Sequence, residues 1–126
     1  METALLISAG LTSLLGIVHS GLGEARLIGP LLDPAYRTGL LAKSAFARGI
    51  LRFAWHLTSI AWWGLAAVTA AYALAAPGKA EAAVLTAIAA TLAVSGLIVL
   101  AMSRGRHLAW PIFLLAAGLA ALPILA

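Results

Sequence analysis

Four apolar runs, each long enough to cross a lipid bilayer, make up most of this chain. They cover residues 3–21, 51–76, 80–102 and 107–125. A helix needs about 20 apolar residues to cross a hydrocarbon core of about 30 Å. Such segments are helical because lipid offers no hydrogen-bond partner to an open backbone. The sequence therefore predicts an all-α fold: a four-helix transmembrane bundle that forms a single domain over residues 1–126.

Composition agrees with a lipid environment and excludes several other classes of protein. Hydrophobic residues make up 63% of the 126 residues and charged residues only 10%, whereas a soluble domain has roughly a quarter charged residues. The net charge of +4 does not indicate nucleic acid, because the basic residues flank the apolar runs, where lipid headgroups explain them. The chain has no cysteine, which excludes disulfides and thiolate metal sites.

The connection between the first two runs contains two signals for a change of structure. Pro30 predicts that regular helix ends soon after Glu24. Asp33 followed by Pro34 is typical of an N-cap and the first residue of a helix. We therefore expect a short interfacial helix to begin there, with its basic side chains among the headgroups and its apolar side chains among the acyl chains.

The positions of the basic residues predict an orientation. The chain has eight Lys and Arg residues, and all of them except Lys79 lie in or beside the connections between runs one and two and between runs three and four. Cytoplasmic connections of membrane proteins are enriched in Lys and Arg. We therefore expect a protein of the bacterial cytoplasmic (inner) membrane with both basic connections inside and both termini facing outward.

All three histidines and one of the four acidic residues lie at a similar depth near the cytoplasmic ends of the runs. This predicted His/Glu cluster consists of His19, Glu24, His56 and His107. Ionisable groups in a membrane are costly and are candidates for function. Imidazole and carboxylate groups are ligands of Zn²⁺, Fe and Mn, so the four residues are the predicted ligands of a divalent metal ion. Haem held between two of the histidines is an alternative, although these histidines lie nearer the membrane surface than such ligands usually do.

Basic and hydroxyl residues beside the cluster predict an anion site instead. Arg52 and Ser59 share one face of the second run at helical spacing. Together with Arg106 they are the predicted contacts of a small anionic ligand, and Arg48 and Arg104 add positive charge nearby. A phosphate or a carboxylate would suit such a set of donors.

The predicted function is thus the binding of a metal ion or a small anionic ligand near the cytoplasmic leaflet. Proton transfer between His and Glu is a further alternative, and no hydrolase, phosphate-loop or dinucleotide motif predicts an enzyme. A different class of function is an accessory or structural subunit of a homo-oligomer or larger membrane complex. The cluster would then only tie the helices together, and the alanine-rich third run would offer a smooth surface to another helix.

Three short motifs carry a resemblance to other proteins. They are HSGLGE at residues 19–24, RFAWHLTS at residues 52–59 and GRHLAWP at residues 105–111. The chain resembles a group of small bacterial four-span membrane proteins of unknown function. The resemblance supports the residues of the His/Glu cluster as site residues and implies no activity.

Overall fold

The computed structural model describes residues 2–125, and within that range it contains helices and connections but no strand. The predicted all-α class is confirmed. The elements in chain order are α1 (Glu2–Gly23), a π-helical turn (Glu24–Ile28), α2 (Gly29–Leu32), α3 (Gly39–Lys43), α4 (Ala45–Leu74), α5 (Ala80–Ser103) and α6 (Ala109–Leu125).

Three helical segments are long and apolar enough to cross a membrane. They are the continuous segment Glu2–Leu32, which joins α1 to α2, and the single helices α4 and α5. Helix α6 is apolar too but has 17 residues, a length of about 25 Å at 1.5 Å per residue. The fourth predicted span therefore corresponds to a helix at the lower end of the length that crosses a bilayer.

The long helices pack in the order in which they occur in the chain. Helix α1 packs on α4, α4 on α5 and α5 on α6, and no other two of these four share more than marginal contact among the described residues. The helices thus form an open row, whereas a closed form of the predicted four-helix bundle would also bring α1 against α5 or α6. Lipid tails are as apolar as leucine, so no hydrophobic force drives the row to close.

Few side chains are buried inside this row. The buried apolar residues are Ala9, Ile28, Leu32, Phe53, Ala66, Val99 and Ala117. Large aliphatic side chains point outward instead: Leu11 is 63% exposed and Leu115 is 66% exposed. This distribution suits a chain whose solvent is hydrocarbon.

The first helix continues beyond its predicted end. The regular α-helix does end at Gly23, near the predicted position, but the chain stays helical to Leu32 through the π-helical turn and does not break up there. The Gly29 N–H donates to the carbonyl of Glu24, five residues back, which marks the widened turn. Pro30 follows immediately, and a widened turn accommodates a residue that has no N–H and would crowd the preceding turn of a regular α-helix.

The short helix of the connection begins later than predicted, and α4 begins earlier. Asp33 does not cap a helix at Pro34; its Oδ1 accepts a hydrogen bond of 2.7 Å from the Ala35 N–H, which forms a local turn. Helix α3 follows only at Gly39–Lys43. Ser44 then accepts a hydrogen bond from the Ala47 N–H and caps α4, so that helix starts at Ala45 instead of residue 51.

The two basic connections meet at the same end of the row. Residues at the start of α4 (Ala45 and Phe46) line one crevice together with residues at the end of α5 (Met102 and Ser103). Because α4 and α5 are antiparallel neighbours, the connection that precedes α4 and the hairpin that follows α5 lie side by side. This arrangement sets the basic residues of both connections around one end of the molecule.

Candidate functional site

The site begins where the π-helical turn of the first segment meets α4. The Trp55 ring lies against Gly23, and a methyl group at that position would collide with the ring. The indole Nε1 donates a hydrogen bond of 3.2 Å to the carbonyl of His19. This close approach places Glu24, the first residue of the π-helical turn, opposite the α4 face that carries Arg52 and His56.

The Glu24 carboxylate bridges two basic side chains of α4. Its Oε1 lies 2.9 Å from Nη2 of Arg52, and its Oε2 lies 3.1 Å from Nε2 of His56. All three side chains are partly accessible, between 33% and 43% exposed. The Arg52 contact is an ion pair, and the His56 contact is one when His56 is protonated; no other carboxylate within residues 2–125 pairs with a basic side chain. Glu24 therefore joins α4 to the first helical segment.

Two serines continue the network deeper into the row. Ser20 Oγ lies 2.9 Å from Nδ1 of His56 and 2.8 Å from Oγ of Ser59. Ser59 is completely buried. We call the set Ser20, Glu24, Arg52, His56 and Ser59 the polar network.

The polar network can satisfy both protonation states of His56. In the imidazolium, Nδ1–H donates to Ser20, whose hydroxyl donates onward to Ser59, and Nε2–H donates to Glu24. In the neutral ring with the proton on Nε2, the Ser20 hydroxyl turns and donates to Nδ1 instead. Rotation of hydroxyl groups is enough to pass between the two arrangements.

A cleft of about 300 Å³ lies beside the polar network, and we call it the arginine cleft. Arg37, Arg48 and Arg52 line it together with apolar side chains that include Leu32 and Met102. Arg48 donates a 2.7 Å hydrogen bond to the carbonyl of Leu41, which holds its guanidinium in place. Arg52 Nε is buried and has no hydrogen-bond partner among the described residues.

The arginine cleft carries more positive charge than its neighbours neutralise. Arg52 is paired with Glu24. Arg37 and Arg48 pair with no carboxylate within residues 2–125. Planar guanidinium groups bind phosphate and carboxylate through parallel N–H donors. The cleft therefore has the chemistry of a site for an anion.

The predicted His/Glu cluster is not brought together as a metal site. His19 stacks on Trp55 with ring centroids 4.3 Å apart and meets the edge of Trp62. His107 accepts a hydrogen bond from the Ala109 N–H at the start of α6, and its ring lies 6.5 Å from that of Phe53. Within residues 2–125 no three His, Cys, Asp or Glu side chains are placed to hold a metal ion.

Of the predicted His/Glu cluster, only Glu24 and His56 contact each other, and the polar atoms of both side chains already have protein partners. Each ring nitrogen of His56 has a protein partner, Ser20 at Nδ1 and Glu24 at Nε2. A metal ion or a haem iron would have to displace one of them. The geometry thus favours the anion interpretation over the metal interpretation.

The predicted anion contacts fall into two groups. Arg52 and Ser59 both belong to the polar network, and Arg52 also lines the arginine cleft. Arg106 lies in the exposed hairpin between α5 and α6 and is not among the residues that line the cleft. Sequence reasoning assigned no site role to Ser20 and Arg37. The spacing of Ser20 and Glu24, four residues apart, was a usable signal for Ser20.

No protein-family model, curated protein or solved structure matches this chain.

Proposed function

We propose that this chain is a four-span protein of the bacterial cytoplasmic membrane that binds a small anionic ligand of the phosphate class in the arginine cleft. The observation that carries the proposal is the unbalanced charge of that cleft. Three guanidinium groups line it, and one carboxylate, that of Glu24, is paired with one of them. An anion in the cleft would restore the balance.

The polar network has a supporting role in this proposal. Glu24 holds Nη2 of Arg52 through one carboxylate oxygen, His56 contacts the other oxygen, and Ser20 in turn holds Nδ1 of His56. A guanidinium held in this way loses less conformational freedom when an anion binds than a free side chain does. The network therefore positions Arg52, and the ligand itself contacts the arginines.

The orientation follows from the positions of the positive charges. Both basic connections lie at the end of the row that carries the arginine cleft, and positively charged connections face the cytoplasm. On this proposal, α6 completes the fourth span, both termini face outward, and the cleft opens at the cytoplasmic surface.

The test is a thermal titration of the purified protein in a neutral detergent. Inorganic phosphate and an anionic phospholipid are added separately, and the unfolding midpoint is followed. A bound anion stabilises the folded state in proportion to the logarithm of its concentration above Kd. At least one of the two anions is expected to raise the midpoint of the wild type and to have little effect on Arg37→Gln.

The matched control is Arg26→Gln. Arg26 is exposed, lies in the π-helical turn and is not a lining residue of the cleft. The variant removes the same charge and should respond to the anion like the wild type. Equal responses of the wild type, Arg37→Gln and Arg26→Gln would show that the arginine cleft does not bind the anion.

A second candidate function is an accessory subunit, and the open row favours it. Helices α4 and α5 leave an apolar groove of about 360 Å³ that is lined by small residues such as Ala67, Ala87 and Ala90. Small residues let a helix of another chain approach closely. In this alternative the polar network only joins the first helical segment to α4.

Crosslinking separates this candidate from the anion site. The chain has no cysteine, so Ala90→Cys places a single thiol at the groove. Leu119→Cys places one on an exposed position of α6 as the control. Crosslinking in membranes that is specific to Ala90→Cys would support a partner helix. Equal or absent crosslinking at both positions would oppose it.

A further inference from the structure

The arginine cleft continues into an apolar crevice between the start of α4 and the end of α5. The crevice has a volume of about 50 Å³, and buried Phe53 and Val99 are among its walls. Ala45, Gly49 and Met102 line both spaces. Charged and apolar walls thus meet without a break.

We propose that the occupant of the arginine cleft is an anionic phospholipid of the surrounding leaflet. Its phosphate would lie on the arginines, and the start of one acyl chain would lie in the crevice. This inference rests on the proposed function and names the source of its phosphate group. A phospholipid can contact both the charged and the apolar walls, because one molecule carries a phosphate for the arginines and methylene groups for the crevice. A soluble phosphate would leave the apolar side unused.

The rim of the two spaces points to entry from the lipid. Phe46, on the crevice, is 47% exposed, and Met102, which lines both spaces, is 50% exposed. Exposing large apolar side chains to water costs free energy, whereas exposing them to acyl chains does not. The opening is therefore better suited to a molecule that arrives laterally from the bilayer than to one that arrives from the cytoplasm.

The donors suit a phosphate diester at the headgroup level. Arg37 carries no carboxylate partner within the described residues, and Arg48 is held by the carbonyl of Leu41 with its remaining donors available. Arginines at a cytoplasmic membrane surface are attracted to anionic lipid. The lipid phosphate would accept from these two residues, with Arg52 behind them.

Gly49 offers a way to close the site without disturbing the fold. It lines both spaces, and a Cβ atom added there has no neighbouring atom within 4 Å. Gly49→Leu should therefore fill the junction of cleft and crevice. Gly10→Leu is the matched control, because Gly10 also lies in a helix with open space around it.

The experiment measures lipid selectivity in nanodiscs of phosphatidylcholine that contain one tenth phosphatidylglycerol. The protein is extracted gently, and the phosphatidylglycerol that it retains is counted by native mass spectrometry. We expect the wild type, Arg26→Gln and Gly10→Leu to retain it. Arg37→Gln and Gly49→Leu should retain about tenfold less. Helical circular dichroism checks that each variant is folded, and Arg37 lies outside the polar network, so its replacement leaves the helix contacts intact.

Competition with soluble anions separates the two proposals. Inorganic phosphate and glycerol phosphate, at concentrations far above that of the lipid, should fail to displace phosphatidylglycerol. Displacement by either soluble anion would overturn the lipid inference and leave the anion site standing. Retention that is the same in the wild type and in Arg37→Gln, with no binding of soluble phosphate, would overturn both. If Gly49→Leu retains as much phosphatidylglycerol as the wild type, the proposal that the lipid's acyl chain lies in the crevice would be overturned.

Discussion

Replacement of Glu24 by Gln should weaken the contact between the first helical segment and α4 by a measurable amount. The carboxylate contacts Arg52 at 2.9 Å and His56 at 3.1 Å, and these side chains are between 33% and 43% exposed. A hydrogen bond to a charged group contributes about 1.5–3 kcal/mol when buried, whereas an exposed ion pair contributes about 0.2–1 kcal/mol. Because the three groups are about one third or more exposed, we discount each contact for solvent screening to about 1 kcal/mol.

The expected loss in the free energy of unfolding is therefore about 1–2 kcal/mol, since Gln keeps the size of Glu and one acceptor oxygen. That is a factor of about 5 to 30 in the ratio of folded to unfolded protein. The assay is equilibrium unfolding in mixed micelles of neutral detergent and dodecyl sulfate, with helical circular dichroism as the readout. Glu81→Gln is the control, because Glu81 is exposed at the start of α5 and forms no ion pair within residues 2–125; it should change stability by less than about 0.5 kcal/mol.

A double-mutant cycle between Glu24→Gln and Arg52→Gln isolates the pair itself. Residues in direct contact show non-additive effects, and the coupling free energy measures their interaction. We expect a coupling of about 1 kcal/mol at low salt that decreases as salt is added. Additive losses, with no coupling at any salt concentration, would refute the reasoning that Glu24 joins the two segments through charge.

Three further predictions concern helix packing, the anion site and the orientation. Gly23→Ala should destabilise the fold by about 1–3 kcal/mol in the same unfolding assay, because its methyl group meets the Trp55 ring. Gly21→Ala is the control and should be neutral or slightly stabilising, because a methyl group there meets open space. Equal effects of the two substitutions would contradict the close contact between Gly23 and Trp55. Arg106→Gln should leave anion binding within about twofold of the wild type by thermal titration, since Arg106 lies outside the cleft; a loss as large as that of Arg37→Gln would place the hairpin in the site. Lys43→Cys in intact cells should be protected from an impermeant thiol reagent, and labelling from outside would reverse the proposed topology.

Much of the secondary structure could be predicted from hydropathy alone, because length and apolar composition decide what crosses a bilayer. Helix α5 begins at Ala80, as predicted, where the Pro77-Gly78 pair precedes it. The helix boundaries that were predicted wrongly are those set by local hydrogen bonds. Ser44 caps α4 earlier than the apolar pattern suggests, and the π-helical turn carries the first helix through Pro30. Both depend on hydrogen bonds that a hydropathy profile does not contain.

The site could be predicted only in part, because depth in the membrane does not determine which helices touch. Glu24 and His56 do meet, as residues on neighbouring helices at similar depth can. His107 lies in the connection just before α6, and its ring lies beside that of Phe53 on α4, where it contacts neither Glu24 nor His56. His19 was predicted at the same depth, but its ring stacks on that of Trp55, a contact that a hydropathy pattern does not contain.

The measurement that tests the central claim most directly is the phosphorus content of the protein purified from membranes into a phosphate-free neutral detergent. Wild-type protein, Arg37→Gln and Arg26→Gln are purified in parallel, and phosphorus is determined per chain. An arginine cleft that binds a phosphate-class anion predicts about one phosphorus atom per chain in the wild type and in Arg26→Gln, and much less in Arg37→Gln. Wild-type protein without phosphorus, or the same content in all three, would contradict it.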